Sequence, residues 1–114
     1  MKMAEKSTSM LGEIDVCILG MGTDGHFASI FPNDEKSQKA LFNKDEPIIH
    51  YTEAPAEPKQ RITYSWPFLR NSKTLILHIT GQNKMDLLKD ENRDRLPIDI
   101  IFNDNKGPLV YWTE

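Results

Sequence analysis

The sequence has a single cysteine, Cys17, among its 114 residues, so no disulfide can form within the chain. A lone thiol in an apolar stretch reads as a small core residue, not as a nucleophile. No apolar run approaches the roughly 20 residues of a membrane-spanning helix. The first thirteen residues are polar and mixed, with no apolar h-region, so no secretory signal is expected. Basic residues are not in excess: 14 Lys and Arg stand against 17 Asp and Glu, interspersed, which excludes the basic face of a nucleic-acid binder. The acids and histidines lack metal-ligand spacing. There is no repeat, no low-complexity tract and no second domain boundary, and the length suits one domain with one modest core. These absences make the cytoplasm the expected compartment.

Glycine is also sparse, six residues in all, yet three of them, Gly20, Gly22 and Gly25, fall together. They follow an apolar, β-branched run from Ile14 to Leu19 that reads as a short buried strand. Glycines at this point allow a tight turn, positive φ and close approach of backbone to a ligand. Inside the turn stand Asp24 and His26, an acid and a base two residues apart. In α/β sheets ligands gather outside the carboxyl ends of the strands, so this turn is the candidate site. It also matches Gly-x-Gly-x-x-Gly, but a dinucleotide site is rejected. The match needs its context, and Pro32 would interrupt the helix that should carry the pyrophosphate. Asp24 would place a negative charge in a loop meant for an anion. Asp45 and Glu46 have about the spacing of the ribose partner but precede the next strand instead of ending it.

The rest of the chain alternates strands and helical pieces. Residues 1–12 read as the end of a helix, too short to be stable alone. Phe27 to Phe31 is expected to form a helical turn ended by Pro32, and residues 33–43 a loop with a short helix. Pro47 to Thr52 reads as a strand in which His50 is structural or half exposed. Glu53 to Gln60, with Pro55 and Pro58, is a stiff connector. Ser65 caps a short helix that tolerates Pro67 in its first turn, with Trp66, Phe68 and Leu69 as core. Lys73 to Thr80 is the clearest strand, apolar enough to suggest burial on both faces, with His78 as a hydrogen-bonded core residue. Gly81 opens a helix from Gln82 to about Asp90. Lys84 in its first turn opposes the helix dipole, a conflict eased if an anion binds there. Pro97 starts a short amphipathic helix, residues 103–107 form a turn, and Pro108 to Thr113 is a last strand. The alternation argues for an α/β fold with a largely parallel sheet.

Leu19-Gly-Met-Gly-Thr-Asp-Gly-His-Phe-Ala-Ser-Ile-Phe-Pro32 resembles the signature of the 6-phosphogluconolactonases, the lactone hydrolases of the pentose phosphate pathway. That family commonly has Pro where Thr23 stands, Thr at Phe27 and Leu at Ile30; none of these changes removes the acid or the base. The related glucosamine-6-phosphate deaminases share Asp-Gly-His but continue into Asn-Glu-Pro, which Phe31-Pro-Asn-Asp-Glu35 does not reproduce. The resemblance extends to Arg61-Ile-Thr63 and to Thr80-Gly-Gln-Asn-Lys84, whose arginine and lysine meet the sugar phosphate in the family. On residues alone both cations would be surface side chains. The resemblance implies a three-layer, Rossmann-like sheet with flanking helices. It also implies that residues 1–114 match only the C-terminal part of such a domain, without the glycine-rich phosphate loop and the acidic motif of the preceding half.

On this resemblance the substrate is 6-phosphogluconolactone, hydrolysed without metal or organic cofactor. His26 is the natural general base, since its unperturbed pKa lies near neutrality, and Asp24 would orient the imidazole or stabilise the imidazolium. Gly22 and Gly25 would bind substrate, their N–H groups serving the oxyanion. Arg61 and Lys84 would clamp the phosphate. Two other functions are weighed: a phosphosugar isomerase or deaminase on the same scaffold, and a noncatalytic phosphosugar-binding remnant. The expected partners are the lactone and either a missing N-terminal half or a second copy of the chain, with no nucleic acid or membrane.

Overall fold

The computed structural model describes residues 12–42, 44, 48–103 and 107–114. The expected helix end at residues 1–12 and the 103–107 turn lie almost wholly outside them. Five strands occur among the described residues: β1 (Val16–Leu19), β2 (Ile49–Glu53), β3 (Gln60–Tyr64), β4 (Thr74–Thr80) and β5 (Leu109–Thr113). The helices are α1 (Glu35–Phe42), α2 (Trp66–Leu69), α3 (Gln82–Lys89) and α4 (Asp99–Phe102), with a 3₁₀ turn at Arg93–Arg95.

β4 is the centre of a parallel sheet of order β1-β4-β5. Parallel neighbours need crossover connections, and the segment between β1 and β4 supplies one that contains the second sheet. This is the antiparallel hairpin β2-β3, paired from Ile49–Tyr64 to Glu53–Gln60. The connector with Pro55 and Pro58 is its loop, closed by Ala54 N–H donating to Lys59 O at 2.8 Å. The sequence shows β2 as a strand and leaves β3 a bare segment. Alternation in β3 is diluted by Gln60 and Arg61, and its partner is decided by the loop.

The local signals explain the helices. Ser65 accepts a hydrogen bond from Phe68 N–H at 3.3 Å and caps α2, with Pro67 in the first turn; there a missing N–H costs nothing. Asp34 accepts from Ser37 N–H at 3.2 Å and so caps α1, which buries Ser37, Ala40 and Leu41 and places Glu35 and Lys39 to suit the helix dipole. α3 follows Gly81 as expected and inserts Leu88. In α4, Ile101 is fully buried, as is Ile98 at its N-cap.

These helices cover one side of the parallel sheet. Cys17, Leu19, Leu77 and Ile79 point into a core completed by Phe27, Ile30, Trp66, Leu88, Leu96, Ile98 and Ile101. Phe27 meets Trp66 edge to face, centroids 5.6 Å apart, the arrangement that ring quadrupoles favour. Burial raises the Cys17 thiol above its ordinary pKa against a weaker lowering by Ser72, which keeps it an inert core group. The opposite side of the sheet is open. Val16 is 54% exposed, Ile18 65%, Leu109 55% and Tyr111 56%. The expectation that β4 is buried on both faces is therefore corrected: at β1 and β4 only the side bearing Leu77 and Ile79 is covered, and β5 is exposed on both sides, Val110 and Trp112 included. His78 lies on the open side and is exposed, so it is not a core histidine.

Candidate functional site

The turn after β1 does not become a helix. Phe27 and Ile30 form an isolated bridge, with Ile30 N–H donating to Phe27 O at 2.9 Å, and Ala28 takes φ +50°. The expected helical turn over Phe27 to Phe31 is thus a tight reverse turn. It buries Phe27, Ile30 and Phe31 completely or nearly so, which a single helical turn presenting one face could not do. The hairpin holds it from outside: Ser29 N–H donates to Thr63 Oγ1 at 3.2 Å, and Thr52 Oγ1–H donates to Ser29 O at 2.6 Å. Both threonines are buried, so the peptide units on either side of the Ser29 Cα are held by two hydroxyls, from β2 and β3.

Asp24 and His26 meet. His26 Nδ1 lies 2.5 Å from Asp24 Oδ1, and His26 N–H donates to the same oxygen at 3.1 Å. Burial works to raise the Asp24 carboxyl, but the bonds from the His26 ring and backbone, together with the imidazole charge, outweigh it and hold the group below the ordinary carboxylate value. An ionised Asp24 can only accept, so Nδ1 is the donor, and in the neutral ring Nε2 then carries the free lone pair. Both side chains remain about one third exposed, so the ring is oriented yet reachable.

The two turn glycines make this pairing possible. A Cβ at Gly22 would fall on the His26 ring and the Asp24 carboxylate. At Gly25, φ is +82° and a Cβ would lie 2.9 Å from Leu96, whose segment is tied on by Ile98 N–H donating to Gly25 O at 3.0 Å. The N–H groups themselves are engaged: Gly22 donates to His26 O at 2.9 Å and Gly25 to Gly22 O at 3.0 Å. Of the turn N–H groups expected to serve an oxyanion, those of Gly22 and Gly25 are therefore already spent within the turn. What they provide is room and curvature.

Arg61, on β3, is half buried; its Nε donates to Pro58 O at 2.6 Å, and its guanidinium carbon stands 5.6 Å from the centre of the Phe31 ring. The same ring lies 4.7 Å from the His26 ring, tilted 38°. Arg61 and His26 therefore flank one aromatic side chain. Lys84 lies in the first turn of α3, beyond the carboxyl end of β4 and so on the same sheet edge as the dyad. It makes no hydrogen bond or ion pair with Asp24, His26 or Arg61 among the described residues. Its turn is held from β5, by Gly81 N–H donating to Thr113 O and Trp112 Nε1–H donating to Gly81 O, each at 2.9 Å. A cavity of about 450 Å³ opens beside the dyad, lined by Thr23, Asp24, Asn33, Leu87, Arg95 and Leu96 among others. Sequence reasoning passed over Phe31, Thr52, Thr63 and Trp112. Their roles arise from contacts more than twenty residues distant, apart from the Phe31–His26 contact, and no local pattern marks them.

A carboxylate-oriented imidazole beyond the carboxyl edge of a parallel sheet, with Arg61 against the same aromatic ring and Lys84 on the same sheet edge, is an α/β arrangement able to do general-base chemistry. Residues 1–112 match the family model described as glucosamine-6-phosphate isomerases/6-phosphogluconolactonase. A 6-phosphogluconolactonase of Rhizobium meliloti is 33% identical over 112 residues, covering 94% of this chain and 48% of the relative. Among solved structures, a 6-phosphogluconolactonase from Shewanella baltica superposes with a TM-score of 0.86 at 30% identity, covering 99% of this chain and 50% of that one. That from Thermotoga maritima gives 0.70 at 28% identity, covering 98% and 48%. The chain belongs to the glucosamine-6-phosphate isomerase/6-phosphogluconolactonase family. It spans about a quarter to a half of the length of the curated relatives it matches. No helix among the described residues is long and apolar enough to cross a membrane.

Proposed function

We propose that this chain carries the base and the phosphate anchors of a 6-phosphogluconolactonase, which hydrolyses 6-phosphogluconolactone to 6-phosphogluconate in the pentose phosphate pathway. The observation that carries the reading is the Asp24–His26 pair at the carboxyl end of β1, in a chain whose relatives are named for this hydrolysis. His26 Nε2 takes a proton from a water as the water oxygen attacks the lactone carbonyl carbon. The bond from that carbon to the ring oxygen then breaks, and the proton passes to the departing ring oxygen, leaving an alcohol and a carboxylic acid that gives its own proton to solvent to become the carboxylate. Asp24 keeps Nδ1 as donor throughout and stabilises the imidazolium. Gly22 and Gly25 shape the substrate site, Gly22 by keeping a Cβ off the dyad and Gly25 by letting Leu96 close against the turn. Arg61, with Nε already engaged, presents its terminal nitrogens to the phosphate as a fork; Lys84 adds a point charge at the head of α3.

The reading extends to the assembly. Residues 1–114 act as one partial domain, and the face bearing Val16, Ile18, Leu109 and Tyr111 is the surface on which an amino-terminal half of the same family, or failing that a second copy, would pack. An apolar face this open favours association. Alone, the chain is expected to self-associate and to turn over little lactone, because a site lacking part of its wall loses orientation. The cytoplasm remains the proposed compartment, supported by the single buried thiol. Two rice relatives are named chloroplastic, and imaging of a tagged full-length protein decides.

The test is a lactone assay with spontaneous hydrolysis subtracted, run on the chain alone and co-expressed with a relative's amino-terminal half. His26→Ala, folded by circular dichroism, should lose about two to four powers of ten in rate. Arg61→Ala and Lys84→Ala should weaken phosphorylated lactone far more than an unphosphorylated one. Unchanged activity in His26→Ala overturns the base assignment. The family description also includes isomerases; release of ammonia from glucosamine 6-phosphate in place of lactone hydrolysis would establish that reading instead.

A further inference from the structure

We propose that Phe31 is a positioning residue that couples anion capture at Arg61 to the orientation of the His26 imidazole; the proposal rests on reading His26 as base and Arg61 as phosphate anchor. Phe31 is 2% exposed, and its ring meets both, at 4.7 Å from the His26 centroid and 5.6 Å from the Arg61 guanidinium carbon. Its backbone is held rigidly. Phe31 N–H donates to Ser37 Oγ at 2.8 Å, the Ser37 hydroxyl donates to Asp34 Oδ2 at 2.7 Å, and the same carboxylate accepts from Glu53 N–H at 3.0 Å. Turn, helix α1 and strand β2 thus converge on one aromatic wall.

The wall completes the definition of His26. Asp24 fixes one ring nitrogen but leaves rotation about that hydrogen bond, and the tilted Phe31 ring limits it. On the Arg61 side the attraction is electrostatic, between a cation and the electron-rich ring face. A phosphate that draws the guanidinium toward itself changes its hold on that ring, and the ring passes the change to the imidazole it touches. Phe31 thereby also sets the spacing between base and anchor, the quantity that decides which phosphorylated lactone places its carbonyl at Nε2.

The experiment follows the His26 ring resonances in the histidine-labelled 114-residue protein while inorganic phosphate is titrated, in wild type, Phe31→Leu, Phe31→Tyr and Arg61→Ala, with Trp66 fluorescence, read in a Trp112→Phe background, confirming an intact core. In wild type, phosphate should shift the His26 resonances. Phe31→Leu should change phosphate affinity by no more than about thirtyfold, the worth of a desolvated cation–π contact, while losing most of the His26 response. Phe31→Tyr, which keeps the ring, should retain that response, and Arg61→Ala should abolish it. Phosphate binding without any His26 response, or a wild-type response in Phe31→Leu, overturns the coupling and leaves the anchor standing. A wild-type protein that does not bind phosphate removes the anchor reading and the coupling together.

Discussion

The two sides of the parallel sheet are written in nearly the same alphabet and meet opposite fates. Cys17, Leu19, Leu77 and Ile79 are each 8% exposed or less, whereas Val16, Ile18, Leu109 and Tyr111 are each more than half exposed. Register shows why they separate: Ile18 pairs with Ile76 and Leu19 with Leu77, so adjacent residues of one strand fall on opposite faces. The helices after β3, β4 and the 3₁₀ turn all return to the same face. A strand apolar on both faces is one suited to cover on both, and the open side keeps that character without its cover among the described residues. The comparison teaches that apolar pattern records what a strand is suited to, while burial depends on what the chain brings to it.

Replacing Leu77 by Ala should therefore have the largest effect on folding, about 2–5 kcal/mol by urea denaturation, as for buried leucines in general. Removing the cap of the helix beneath that face by Ser65→Ala should cost about 0.5–2 kcal/mol, read from the same curves. A smaller, pH-dependent loss is expected from the carboxylates that pin the site turn on the covered side. Burial acts to raise Asp34, but hydrogen bonds from Glu53 N–H and from Ser37 prevail and lower it, as they do for Asp24. A carboxyl lowered on folding stabilises fully above its unfolded value near about 3.9, and that contribution disappears as pH falls through the folded value. Denaturation midpoints measured downward from pH 6 should begin to fall near pH 5, and Asp34→Asn should flatten the fall. Since Asp24 is 35% exposed, solvent screening keeps its share small. The smallest effect belongs to Ile18→Ala on the open side, within about 0.5 kcal/mol for an exposed position. A loss comparable to that of Leu77→Ala would show that the open side is covered in solution, and light scattering would then reveal the association.

Much of the arrangement is legible in residues that act locally. The glycine turn after an apolar run, Ser65 three residues before Phe68, and Gly81 ahead of α3 each announce themselves because the relevant partner lies within four residues. The same holds for Asp24 and His26, whose proximity in sequence survives as a 2.5 Å contact. The reverse turn at Ala28, the hairpin partner of β2 and the exposure of His78 were not legible, because each depends on packing against distant segments.

The sequence by itself determined the strand–turn that carries an acid and a base, the apolar character of β1 and β4, and the helix caps. These follow from side-chain chemistry and short-range backbone preference. Only the tertiary structure decided which sheet side is filled, that Arg61 reaches His26 through Phe31, and that Gly22 and Gly25 spend their N–H groups within the turn. Those outcomes depend on which remote surfaces are brought within van der Waals or hydrogen-bonding distance, and a short-range pattern contains no term for that distance.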